Sequence, residues 1–159
     1  MILDYRKLQG QSGHQAGRQL LREMYEGLRG KPMPPVLLTE RGKPYFRDDP
    51  LYFSITHTKR HVFCALSETP VGIDGEEMDR RVNLHLADKI LSPGERARYD
   101  RAADSRLCLL RLWVLKEAYV KMLGTGLTGY PNQTDFDPDD SRIREIDGCL
   151  LAVLQQSEF

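Results

Sequence analysis

The sequence predicts a mixed α and β chain, on three observations. Two long stretches, 12–28 and 106–123, repeat apolar residues at helical spacing. Three shorter ones, 52–56, 62–67 and 71–77, are rich in β-branched and aromatic residues, or alternate in polarity as strands do. Near the end, 142–146 and 149–154 flank Asp147-Gly148, a two-residue hairpin signal.

In the first predicted helix Leu20, Leu21, Met24, Tyr25 and Leu28 share a face, Ser12 is placed to cap it, and Gly30 with Pro32 ends it. Arg18 and Arg22 lie one turn apart on it, which by itself describes solvated basic residues. Pro32, Pro34 and Pro35 make a stiff connector to a short strand at 36–39, and Arg41-Gly42-Lys43-Pro44 turns the chain before Tyr45 and Phe46. The strands at 52–56 and 62–67 flank His57-Thr58-Lys59-Arg60-His61. Two histidines four apart would suit zinc on a helix, but here they span a turn and no HExxH accompanies them. The loop's hydroxyl, imidazole and cationic groups suit a phosphate, with a plain polar hairpin as the equal alternative.

In the strand at 71–77, alternation sends Val71 and Ile73 to one face and Asp74 with Glu76 to the other. Paired carboxylates repel unless a cation sits between them, and hard oxygen ligands favour Mg²⁺ or Mn²⁺; an exposed sheet edge would carry both charges unaided. A short helix is expected at 83–91. Ser92-Pro93-Gly94-Glu95 then reads as cap, Pro at the first helical position and capping-box acid, opening a helix to about 103.

The helix at 106–123 places Leu107, Val114, Leu115, Ala118, Tyr119 and Met122 on one arc, with Glu117 and Lys121 one turn apart at its edge. Lys116 points ~100° away from Glu117, to a different side. As a surface pair Glu117 and Lys121 would contribute only ~0.2–0.5 kcal/mol. The glycines of 124–129 follow a helix C-terminus, so they are not a phosphate loop of the kind that precedes a helix.

Lysine plus arginine equals aspartate plus glutamate, 23 each, so the overall charge makes no case for nucleic acid. Cys64, Cys108 and Cys149 are widely spaced and form no metal or disulfide framework, which points to a reducing cytoplasm. No apolar run is long enough for a membrane span, and residues 1–7 lack the apolar core of a secretion signal.

Gly72-Ile73-Asp74-Gly75-Glu76 followed by Trp113-Val114-Leu115-Lys116-Glu117-Ala118-Tyr119-Val120-Lys121 resembles the paired signatures of the 4′-phosphopantetheinyl transferase family, G-I-D-x-E and [WF]-x-x-K-E-[AS]-x-x-K. Gly42-Lys43-Pro44, Phe53-Ser54-Ile55-Thr56-His57-Thr58 and Gly124-Thr125-Gly126-Leu127 resemble further motifs of that family, in its order. The resemblance implies an α+β fold of two unequal, pseudo-symmetric halves, each a small antiparallel sheet packed on a helix. It implies a single domain, 1–159, with a half at 1–70 that contacts coenzyme A and a half at 71–159 that carries the metal and catalytic motifs. It is similar to the two-halved monomeric type, shortened. Ser54 replaces the usual asparagine. Gly75 stands where an apolar residue is usual, which is expected to loosen that strand.

The activity so implied is a holo-acyl-carrier-protein synthase reaction. The 4′-phosphopantetheine arm of coenzyme A passes to a serine of an apo acyl, peptidyl or polyketide carrier protein, releasing adenosine 3′,5′-bisphosphate. By resemblance Asp74, Glu76 and Glu117 bind Mg²⁺ (or Mn²⁺), and Glu117 and Lys121 are catalytic. Arg18, Lys43, Thr56, His57, Asp74 and Lys121 contact coenzyme A. An acidic carrier is expected on the basic segment 80–111, where internal ion pairs are the alternative use of the charges. Lys116, on its different side, is expected to matter less than Glu117 or Lys121. The competing functions are another Mg²⁺-dependent phosphodiesterase and a non-catalytic relative that binds a carrier or nucleotide.

Overall fold

The computed structural model describes residues 1–126 and 131–156. Its first strand, β1 (Ile2–Lys7), is one the sequence pattern does not announce. Apart from Leu3 its side chains are exposed, so no alternation of burial marks it; it holds its place by antiparallel pairing with β5 (His61–Ser67). Helix α1 (Gly13–Arg29) follows as expected. The Ser12 hydroxyl accepts from the Gln15 N–H at 3.2 Å, and Gly30, at φ 64, ends the helix in a left-handed turn.

Strands β2 (Val36–Leu38) and β3 (Pro44–Phe46) form a separate hairpin over the Arg41–Pro44 turn. The sequence pattern marks only the turn and β2. Strand β4 (Tyr52–His57) pairs with β5, giving a three-stranded sheet β1-β5-β4. β5 is buried on both faces. Val62, Cys64 and Leu66 pack with Leu20, Leu21 and Tyr25 of α1, while Phe63 and Ala65 turn to the second sheet.

That second sheet has the order β6-β8-β7, from β6 (Val71–Glu77), β7 (Ile143–Ile146) and β8 (Cys149–Gln155). Between β6 and β7 run a 3₁₀ turn at Leu84–Leu86 and three helices: α2 (Ala87–Ile90), α3 (Pro93–Tyr99) and α4 (Ser105–Leu123). The capping box at α3 is complete: the Ser92 hydroxyl accepts from Glu95 N–H at 3.1 Å, and the Glu95 carboxylate accepts from Ser92 N–H at 2.9 Å. α3 stops at Tyr99, short of 103, and the Asp104 carboxylate caps α4 by accepting from Leu107 N–H at 2.9 Å. A cap at Asp104 requires extended backbone there, so one helix cannot run through.

α4 lies directly against β6. A Cβ on Gly72 would stand 2.0 Å from the Ala118 carbonyl oxygen and 2.4 Å from the Met122 nitrogen, so only glycine permits this approach. Gly75 does not loosen the strand. Its ladder with β8 is continuous from Val71 to Glu77, and the space a side chain would take is bounded by Leu151, Thr56 and Phe63. The two sheets meet where β4 runs beside β6. There the Ser54 hydroxyl accepts from Ile73 N–H at 3.0 Å and the Thr56 hydroxyl from Gly75 N–H at 3.3 Å. Side-chain hydroxyls thus stand in for a strand ladder and satisfy β6 backbone donors that burial would otherwise leave unpaired. No helix among the described residues is long and apolar enough to cross a membrane.

Candidate active site

The seam between β4, β6 and α4 opens into a cavity of about 800 Å³. Its walls come from α1 (His14, Arg18), the β2–β3 turn (Arg41, Lys43), β4 (Ser54, His57) and α4 (Glu117, Lys121). Four cations and two imidazoles therefore face a space in which Glu117 is the only carboxylate among the described lining residues.

Each charged group is fixed by the packing just described. Alternation along β6 turns Asp74 toward α4, where its Oδ1 accepts from Lys121 Nζ at 2.6 Å and from the Thr56 hydroxyl at 3.2 Å. Burial raises the Asp74 pKa, opposed by Lys121, Thr56 and Arg80. Glu117, half-buried one turn before Lys121, makes no hydrogen bond among the described residues. Its pKa is raised first by burial and then by the neighbouring Asp74, against the pull of Lys121. Lys43 Nζ donates to the Met122 carbonyl at 2.5 Å, so the β2–β3 turn is tied to the last turn of α4. Burial lowers the Lys43 pKa.

Of the residues singled out from sequence, Arg18, Lys43, His57, Glu117 and Lys121 stand on the cavity wall, with Asp74 bonded to Lys121 just behind it. Thr56 is not on the wall; it is buried beneath Asp74 and holds that carboxylate and β6 together. Glu76, half-buried on the face of Asp74, is paired through Oε1 with Arg80 rather than directed into the cavity. Leu127 lies outside the described residues.

Of the loop at 57–61, expected to suit a phosphate, one residue lines the cavity. His57 faces the cavity, packed so closely on α1 that a Cβ at Gly13 would meet its ring at 2.4 Å. Thr58, Arg60 and His61 turn instead toward Glu77. Burial disfavours the Glu77 carboxylate, but bonds from Arg60 and Thr58 outweigh it and hold the pKa at about 2. His61, across the turn on β5, stands against Glu77 and Cys149 while His57 faces the cavity, so the two histidines do not share a ligand site.

Two wall residues were missed. His14 is one turn before Arg18 on α1, so helical spacing could have found it; Arg41 is two positions before Lys43 in the same turn.

A model of the 4′-phosphopantetheinyl transferase superfamily matches residues 70–156, the β6 and α4 region just described. The chain belongs to that superfamily. The 4′-phosphopantetheinyl transferase gsp of Aneurinibacillus migulanus is 34% identical over 90 residues, 55% of this chain and 37% of that protein. A 4′-phosphopantetheinyl transferase of Bacillus subtilis is 35% identical over 95 residues, 56% of this chain and 41% of that protein. The holo-[acyl-carrier-protein] synthase of Thermotoga maritima superposes with a TM-score of 0.45 at 25% identity, over 54% of this chain and 61% of that one. The matches thus span less than half the length of these two curated relatives. Within the superfamily match lie Asp74, Glu76, Glu117 and Lys121; Arg18, Lys43, Thr56 and His57 lie before it.

Proposed function

We propose that this chain transfers the 4′-phosphopantetheine arm of coenzyme A to a serine of an apo carrier protein, releasing adenosine 3′,5′-bisphosphate. The observation that carries the proposal is the layout of the cavity: Glu117 and Lys121 stand on its wall with Asp74 bonded to Lys121 just behind, and Arg18, Arg41, Lys43 and the His57 imidazole line the rest. Its volume, about 800 Å³, lies in the range of small-molecule and cofactor sites. The polyanionic, nucleotide-bearing coenzyme A suits both ends.

Asp74, Glu76 and Glu117 would hold Mg²⁺, with Mn²⁺ as a substitute. By charge and ligand type the donor set fits: three hard carboxylates against two cations, Lys121 and Arg80, leave negative charge to be neutralised, and Glu76 must leave Arg80 to join Asp74 and Glu117. When bound, the ion neutralises the coenzyme A diphosphate and orients it for in-line attack. Glu117, made more basic by its surroundings, takes the serine proton directly or through water. The serine oxygen bonds to the phosphorus that carries the pantetheine arm, and the anhydride P–O bond breaks. The electron pair remains on the departing 5′-phosphate, where Lys121 stabilises or protonates it. Thr56 acts as a positioning residue that orients Asp74.

The carrier docks, in this reading, on a groove of about 200 Å³ beside the site, lined by Arg80, Arg81, Lys89, Leu110 and Trp113. Several other basic residues of 80–111 are committed internally: Arg96 to Asp88 and Asp100, Arg98 to Asp135, Arg111 to Pro138 and Glu145. Arg81 and Lys89 have no acidic partner among the described residues. Charge reversal at Arg81 is expected to raise the carrier KM severalfold and spare coenzyme A binding, with weaker dependence on salt. An unchanged carrier KM would move docking elsewhere.

The raised Asp74 and Glu117 pKa values give a signed pH prediction. Raised native values mean the metal-free fold binds protons more tightly than the unfolded chain, so these two groups favour it below their unfolded pKa and cost stability as pH rises through the folded values. Mg²⁺ needs both ionised, so it competes with protons. The Tm gain from Mg²⁺ is expected to be larger at about pH 8 than at about pH 5.5. A pH-independent gain would remove these two acids from the site.

The deciding experiment is intact-mass spectrometry of a panel of apo carriers after incubation with coenzyme A and Mg²⁺, with light scattering on the enzyme. Gain of one phosphopantetheine and a mass of one chain are expected. Cleavage of coenzyme A without transfer would favour a phosphodiesterase, and neither would favour a binding protein. The free, buried thiols of Cys64, Cys108 and Cys149 support a reducing, cytoplasmic setting.

A further inference from the structure

Glu76 is engaged from outside the proposed cation site. Its Oε1 pairs with Arg80, four residues on, and Arg80 also lines the groove with Arg81, Lys89 and Trp113. One half-exposed guanidinium therefore belongs to two sites: it neutralises a carboxylate of the cation site, and it forms part of the wall on which an acidic partner would dock. Two neighbouring bases are committed elsewhere. Arg60 is bound to Glu77 and Asp79, and Arg106 donates to the Met78 and Arg80 carbonyls.

We propose that Arg80 couples the two sites, competing with the divalent cation for Glu76 until an acidic partner in the groove draws it away. The inference rests on the cation site and the carrier docking proposed above. While Arg80 holds Glu76, an incoming cation meets a carboxylate whose charge is already answered and must stand beside a positive guanidinium. A carboxylate of the partner offers Arg80 an alternative counter-ion and frees Glu76. Linkage makes the effect reciprocal: a cation that displaces Arg80 presents a free guanidinium to the groove. The cation site is thereby weak in the free enzyme and strengthened when a carrier is bound. Metal loading thus follows arrival of the partner, with no movement larger than one side chain.

The test is Mn²⁺ binding, read from the paramagnetic signal of the free ion without coenzyme A, in the full chain and its Arg80→Ala and Arg80→Lys variants. Each is measured with and without a saturating acidic apo carrier protein. Exposed ion pairs contribute up to ~1 kcal/mol, so Arg80→Ala is expected to bind Mn²⁺ about fivefold more tightly than wild type in the absence of carrier. Carrier is expected to tighten wild-type binding by a similar factor and to leave Arg80→Ala unchanged. Arg80→Lys, which keeps the charge, is expected to stay near wild type. Equal Mn²⁺ affinity in wild type and Arg80→Ala overturns the coupling and leaves the cation site standing. Absence of Mn²⁺ binding in every protein overturns the cation site, and the coupling with it.

Discussion

Glu117→Gln is expected to remain folded and to lose nearly all turnover, because one carboxylate supplies both a cation ligand and the base for the serine proton. The side chain is half-buried beside Asp74, with no hydrogen bond among the described residues, so the amide of glutamine replaces it without breaking a bond. Loss of charge should weaken Mg²⁺ and lower kcat together, and excess Mg²⁺ should recover only the binding part. Lys121→Ala should fail differently. It leaves the three carboxylates in place but removes the Asp74–Lys121 bond at 2.6 Å. Its main loss falls on kcat, because its charge is needed most where the leaving phosphate gains charge. By analogy with a removed oxyanion-hole donor, the barrier rises by ~2.7–4 kcal/mol. Initial rates of holo-carrier formation against Mg²⁺ concentration, with folding followed by circular dichroism, separate the two patterns. Near-wild-type turnover in folded Glu117→Gln would refute the proposed mechanism.

Lys116→Ala is expected to be a folding mutant, and the effect to be large. Sequence spacing puts Lys116 on a different side of α4 from Glu117, which suggested a minor role. That side is in fact covered. Lys116 is 2% exposed and Glu95 0%, with Nζ 2.8 Å from Glu95 Oε2 and donating to the Thr134 carbonyl at 2.7 Å. Burial lowers the Lys116 pKa, opposed by Glu95 and Asp135. The other Glu95 oxygen accepts from Phe136 N–H at 2.8 Å, and Asp135 joins the Ser92 hydroxyl and Arg98. The pair therefore pins α3 and the 134–136 segment onto α4. Removing one partner strands a buried charge, at a cost of ~3–5 kcal/mol. For a chain of this size, that lowers Tm by about 10 °C or more. Lys116→Met paired with Glu95→Leu should recover much of the loss, though the Ser92 and Phe136 N–H groups would still lack their acceptor. A thermal melt of Lys116→Ala within about 2 °C of wild type would show that the pair carries little stability.

What this sequence determined by itself is local, because the physics behind it acts within a turn or two. Ser12 and the Ser92–Glu95 box cap the next few backbone N–H groups, Gly30 supplies a left-handed end, and alternation along β6 sets Asp74 apart from Ile73. Glu117 and Lys121 face one cavity because four residues make roughly one helical turn. What only the tertiary structure decided is which distant group meets each side chain. β1 and β3 carry little periodic burial, and β1 exists by virtue of its partner strand. His57 and His61 look equivalent in a short loop, yet one packs on α1 and faces the cavity while the other is buried against Glu77 and Cys149. Thr56 reads as a ligand contact, but the approach of β6 makes it a strut beneath Asp74. Lys116 is the sharpest case: helical geometry fixed its angle from Glu117, but whether that angle led to water or to a buried carboxylate depended on where α3 packed, a long-range contact that no local spacing encodes.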